Sequence, residues 1–134
     1  MKPVNQTDST KERGNCQQAC VATLFNLELE QVPNFRLFND DVWWKVFCGF
    51  IWGIGYEVIE NVEDDRDLTP TLNGYLLGSI KTGYGSKYGH QVIIDINGKI
   101  IHDPMPNNPC NGKNALKKGL LTDWYLITKR KSYL

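Results

Sequence analysis

The spacing of apolar positions changes character at residue 15. Residues 1–14 are polar and without a period, and read as extended or looped. From Asn15 onward Ala19, Cys20, Thr23, Leu24 and Leu27 recur at three and four, which is one face of a helix. Asn15 reads as its N-cap, Gln18 completes a capping box three residues later, and the helix is expected to stop before Pro33. A second helix is predicted in "NDDVWWKVFCGFIWGIGY", capped by Asn39 or Asp40 and ended at Gly53 and Gly55, with Val42, Trp43, Val46, Phe47 and Phe50 near one face. The period then falls to two. "YEVIENV" reads as a strand, "TLNGYLLGSI" as a strand or a loop leading into one, and "DWYLITKR" as the last strand. Helices first and strands after predict an α+β domain.

"HQVIIDINGKIIHDP" is two β-rich runs around Asn97-Gly98, the preferred dipeptide of a two-residue hairpin turn. That turn pairs Ile96 with Lys99 and Val92 with Asp103. His90 then lies on the same face as Asp103 and diagonal to it, roughly 7–8 Å away at Cα. Val92, Ile94, Ile96 and Ile101 share that face, so it is expected to be the buried one. A His and an Asp at the end of an apolar face need a partner or a task, because unpaired burial is costly. His102 falls on the opposite face with Gln91, Ile93 and Asp95, as a surface or partly packed bystander. A slip of one residue would exchange the two histidines.

Composition narrows the field. The 134 residues suit one domain, 1–134, with a core that needs no staples. Lys plus Arg and Asp plus Glu are 15 each, so the basic excess of a nucleic-acid binder is missing. The acidic run Glu57 to Asp67 and the "KRK" at 129–131 read as solvated surface. The chain shows no export signal and no apolar run of about 18 residues, which points to a cytoplasmic protein with no membrane partner. Its four cysteines are then expected as reduced thiols.

Cys16 stands directly behind Gly14-Asn15, where the helix begins. Unsatisfied N–H groups and the helix dipole favour negative charge there, and the thiolate is the attacking form of a cysteine. Alone, Cys16 reads as a small buried hydrophobe and His90 as a structural histidine held by Asp103. Together they supply a nucleophile, a base and an orienting acid. The N–H of Cys16 offers one donor to an oxyanion. Gln6 is the candidate for a second, worth roughly 3–4 kcal/mol in comparable sites, since Gln17 and Gln18 lie on the helix. Cys20, one turn in, reads as packing; Cys48 and Cys110 read as structural. Zinc held by Cys16, Cys20, His90 and Cys110 would lack the paired knuckles of structural sites, and no cofactor or metal is expected. The glycine-rich loop at 83–89 reads either as a lid over the site or as a plain connection. Tyr84, Tyr88, Lys81 and Lys87 are its candidates to meet substrate.

"Q…GNCxxACVATLF" followed by "GHQVIIDINGKIIHDP" resembles the papain-like cysteine peptidases of the C39-like group, especially short members from bacteriophage and bacterial genomes. The resemblance spans Val4 to Pro104. It implies a papain-like α+β fold, with N-terminal helices on a C-terminal antiparallel sheet and the nucleophile opening one helix. It places the catalytic roles on Cys16, His90 and Asp103 and the oxyanion role on Gln6. Two features depart from the family pattern: the gap from Gln6 to Cys16 is ten residues, and the triplet is Asn-Cys-Gln. The implied activity is hydrolysis of peptide, isopeptide or related amide bonds in a protein or peptide substrate, through an acyl-enzyme. An acyltransferase would use the same constellation. The alternative is a non-catalytic papain-like scaffold that binds a protein or small ligand, as in phage counter-defence. Trp43, Trp44, Trp52, Tyr84 and Tyr88 could line its pocket, although Trp43 and Trp52 read first as core.

Overall fold

The computed structural model describes residues 2–10, 14–60, 74–81, 89–116 and 120–130. Helix α1 spans Cys16–Phe25 and so begins on the cysteine. It ends well before Pro33 because Asn26 takes the left-handed conformation at φ 54°, and Leu27 N–H reaches back to Ala22 O at 2.9 Å. Asn15 holds the expected N-cap position, but its side chain makes no capping hydrogen bond. Its side chain turns back to the N-terminal segment instead. Asn15 Oδ1 accepts from Thr7 N and Asp8 N, both at 2.9 Å, while Nδ2 donates to Thr7 Oγ1 and Gln18 Oε1. Gln18 Nε2 then donates to Leu29 O and Val32 O, tying the chain that follows α1 to its first turn. The predicted cap is thus a clamp, buried at 4% exposure. Asn15→Ala strips the acceptor from two partly buried backbone N–H groups. It is expected to cost about 2–4 kcal/mol, read as a lowered urea midpoint at unchanged m-value.

Helix α2 spans Trp43–Gly53, starting later than either expected cap, because residues 39–42 form a turn in which Val42 N and Trp43 N both donate to Asn39 O. Strands β1 (Tyr56–Glu60), β2 (Tyr75–Ile80), β3 (His90–Asp95), β4 (Ile100–His102) and β5 (Leu121–Lys129) make one antiparallel sheet in the order β1-β5-β2-β3-β4. The fold is α+β, as the order of elements predicts.

Both faces of the sheet are buried, which corrects the expectation of one. On the helix side Leu77, Ile93, Tyr125 and Ile127 meet Cys20, Val21, Phe35, Phe47 and Ile51. Phe35 and Phe47 stand edge to face at 5.2 Å. On the other side Leu76, Ile80, Val92, Ile94, Ile100 and Leu126 are covered by Ala115, Cys110 and Leu120. Trp52, expected in the core, is 48% exposed with the Arg130 guanidinium 4.7 Å from its ring centroid. Among the described residues no helix is long and apolar enough to cross a membrane.

The hairpin differs from its prediction in an instructive way. Asp95 N donates to Lys99 O and Gly98 N to Asp95 O, so the loop is Ile96-Asn97-Gly98, three residues rather than two. Asp95 Oδ1 also accepts from Asn97 N and Lys99 N, which stabilises this longer turn. Gly98 sits at φ 85°, and Leu116 packs where a Cβ would stand. Ile96 is therefore a turn residue, 56% exposed rather than buried. Ile94 pairs with Ile100, then a bulge brings Ile93 opposite His102, and Ile101 packs toward the helix-side core instead of beside Val92. The bulge restores the predicted register just where it matters, at the strand ends carrying His90 and Asp103.

Candidate active site

His90 opens β3 and Asp103 follows β4. Their side chains meet with Nε2 2.6 Å from Asp103 Oδ1, at 5% and 0% exposure. The carboxylate is held from every side. Oδ1 also accepts from Met105 N and Oδ2 from Cys110 N, both at 3.0 Å. Its own backbone is gripped as well: Asp103 N donates to Asn111 Oδ1 at 2.6 Å, and Asn108 Nδ2 donates to Asp103 O at 2.7 Å. Asn107 and Asn108 adopt positive φ of 69° and 49°, a conformation asparagine tolerates better than most residues. The sequence signal for this loop is "PNNPCNG", three asparagines among turn residues.

With Nε2 committed to Asp103, the imidazole turns Nδ1 to its second side-chain partner, the thiol of Cys16. Gln91 N–H also points at Cys16 Sγ, at 3.5 Å. The start of α1, the start of β3 and the loop after β4 thus bring Cys16, His90 and Asp103 together, as the sequence reading expects.

Electrostatics follow from this packing. Burial pulls the His90 imidazole down. The hydrogen bonds with Asp103 and with Cys16, and the negative charge of both, outweigh burial and raise it from 6.5 to about 9. Burial pushes the Asp103 carboxyl up, but the hydrogen bonds from His90 and Met105 N, the imidazolium charge and Cys110 N hold it below its ordinary value. Cys20 is fully buried and its Sγ donates to Gln91 O at 3.5 Å. Burial first, and then the neighbouring Cys16 and Asp103, push that thiol well up, so it remains a packed S–H.

Gln6 reaches the same cavity as Cys16 and His90. Gln6 N donates to Pro104 O at 2.8 Å, and its Nε2 hydrogens go to Asp8 O and Ser9 Oγ. Donation to an oxyanion therefore requires the amide to turn. The cavity measures about 250 Å³ and is walled by Phe35, Trp43 and Tyr125, with Gln17, Ser79, Gln91 and Asp123 among its polar lining. Trp43 is thus partly a wall of the cavity, and Trp44 packs on Phe47 and Tyr125. Tyr84, Tyr88 and Lys87 lie outside the described residues, as does most of the 83–89 loop.

His102 is not a surface residue. It is 3% exposed and its Nε2 donates to Val4 O at 2.7 Å, since a carbonyl only accepts. It anchors the N-terminal segment and takes no place in the cavity. Among the described residues no group of three or more His, Cys, Asp or Glu side chains is placed to hold a metal ion. No family model, no curated protein and no solved structure matches this chain.

Proposed function

We propose that this protein is a thiol-dependent hydrolase of peptide, isopeptide or related amide bonds, working through an acyl-enzyme on Cys16 of a papain-like scaffold. The observation that carries the reading is a buried imidazole clamped by Asp103 on one nitrogen and facing the Cys16 thiol with the other, at the wall of a cavity. The thiol proton moves to Nδ1, and the sulfur attacks the substrate carbonyl. The first turn of α1 has N–H groups with no intrahelical acceptor, and these receive the oxyanion. Nδ1–H protonates the departing amine, and the C–N bond breaks to leave a thioester. His90 then takes a proton from water, the oxygen attacks the thioester, and the C–S bond breaks to release the carboxylate and regenerate the thiol. An amine in place of that water makes the same site an acyltransferase.

Alkylation with peptide mapping tests the reading. Iodoacetamide near neutral pH is expected to label Cys16 at least about tenfold faster than Cys20, Cys48 or Cys110, because reactivity follows thiolate character and access. His90→Ala is expected to remove that lead. Equally slow labelling of all four thiols sinks the hydrolase and leaves the binding-scaffold alternative.

A further inference from the structure

The mechanism uses Cys16, His90 and Asp103, but the cavity has a second set of polar groups. Gln91, Ser79 and Asp123 form one row across β3, β2 and β5, paired Ser79 to Gln91 and Ser79 to Asp123. The row lies on the helix-side face, at the end where the thiol sits. Gln91 Nε2 donates to Ser79 Oγ at 3.1 Å. Among the described residues Gln91 Oε1 has no partner, and neither has Gln6 Oε1 or Gln17 Nε2. Gln6 and Gln91 are 6% and 5% exposed, and all three glutamines line the cavity. An unanswered buried polar atom is costly, and proteins leave few of them. Three around one cavity beside a candidate nucleophile form a hydrogen-bonding template. The amide N–H groups of Gln6 and Gln91 are held by protein acceptors, which fixes their oxygens as the open atoms.

The template selects among ligands. It offers two acceptors, Gln91 Oε1 and Gln6 Oε1, and one donor, Gln17 Nε2. Arg36 and Asp123 also line the cavity, and their formal charges cancel. An ammonium group answers the acceptors but leaves the Gln17 N–H unanswered. A carboxylate answers Gln17 but opposes the two acceptors. An aliphatic group answers none of them. A primary carboxamide, with two N–H donors and one carbonyl, answers all three. We infer that the cavity is a recognition subsite for a side-chain carboxamide, so that the substrate presents a glutamine or asparagine residue beside the bond attacked. This rests on the hydrolase reading for its meaning and not for its test.

The test is equilibrium binding to the Cys16→Ser protein, which keeps an acceptor for Gln91 N–H. The ligands are acetylated Ala-Ala-Xaa N,N-dimethylamides, which carry no primary carboxamide of their own, with Xaa as glutamine, norleucine, lysine or glutamate, followed by calorimetry or NMR titration. The glutamine peptide is expected to bind at least about tenfold tighter than the norleucine peptide, the effect of one well-made buried hydrogen bond. Gln91→Met, of similar volume, is expected to erase the preference. Gln17→Leu, on the part-exposed start of α1, reads the same preference independently should Gln91→Met fold poorly. Equal affinities, a preference for lysine or glutamate, no binding by any peptide, or a glutamine preference unchanged in both variants overturns the subsite. Alkylation of wild-type Cys16 reports separately on the hydrolase. A selectively reactive Cys16 with no carboxamide preference overturns the subsite alone, and an unreactive Cys16 overturns the hydrolase alone.

Discussion

Under the proposed mechanism, His90→Gln is expected to slow amide hydrolysis by about 10²–10⁴-fold, the usual worth of a positioned general acid–base. Glutamine at this position still offers polar atoms toward Asp103, so the fold is kept while proton transfer is removed. The wild-type rate is also expected to fall above a pH of about 9, where the imidazole held there by Asp103 and Cys16 loses the proton it must give to the leaving amine. Asp103→Asn separates orientation from charge. Its Oδ1 can still accept from His90 and Met105 N, but the anion is gone and its amide opposes Cys110 N–H. The alkaline limb is therefore expected to move to lower pH in Asp103→Asn. A pH profile of kcat/KM on a fluorogenic peptide, compared across the three proteins, reads both effects. An unmoved limb in Asp103→Asn contradicts the assignment of the acid.

Asp103→Ala is expected to be the most destabilising single change, at about 3–5 kcal/mol, the cost of breaking one partner out of a buried ion pair. It leaves His90 Nε2, Met105 N and Cys110 N without their acceptor, around a carboxylate that is itself fully buried. The effect depends on pH with a definite sign. The imidazole is raised from 6.5 to about 9, so its contribution is whole below about 6.5 and fades as pH climbs through about 9. The carboxyl is depressed from 3.8, so its contribution is whole above that value and fades as pH drops through the lower folded value. The gap between wild type and Asp103→Ala is therefore expected to be widest between a pH of about 4 and 6.5. It should narrow toward pH 9 and beyond, in urea melts taken across that range. A gap that is flat with pH contradicts a charged pair.

Much of this arrangement is legible from residue patterns, and the misses have physical causes. The start of α1 at Cys16 follows from apolar spacing, yet Asn15 serves there as a clamp, because the side chain found buried N–H groups seven and eight residues back rather than two or three ahead. Local propensity ranks asparagine as a cap; only the tertiary path of residues 2–10 explains what it does instead. The two-residue turn was the preferred reading of Asn97-Gly98, but the Asp95 carboxylate offers a second acceptor that extends the loop. The resulting displacement is cancelled by the bulge, so the His90–Asp103 meeting emerges from a register that was partly mistaken. The burial of both sheet faces was hidden because the cover on the far side is loop rather than helix, and loops carry no period. The place of Gln91 in the cavity is hidden for a related reason. Gln91 reads as a polar position on a bystander face, and only the pairing of β2 with β5 turns that face into a floor.

The first ten residues have a mechanical consequence. Asn15 fastens Thr7 and Asp8 to the root of the helix bearing the sulfur. Pro104, His102 and Asn108 fasten Gln6, Val4 and Asn5 to the strand and loop bearing the acid. The segment is a latch with a catch at each end, joining the element that bears Cys16 to those that bear Asp103 by a route that bypasses the sheet. Prying Gln6 away from Pro104 would open the catch beside Asp103 and leave Asn15 holding the one beside Cys16.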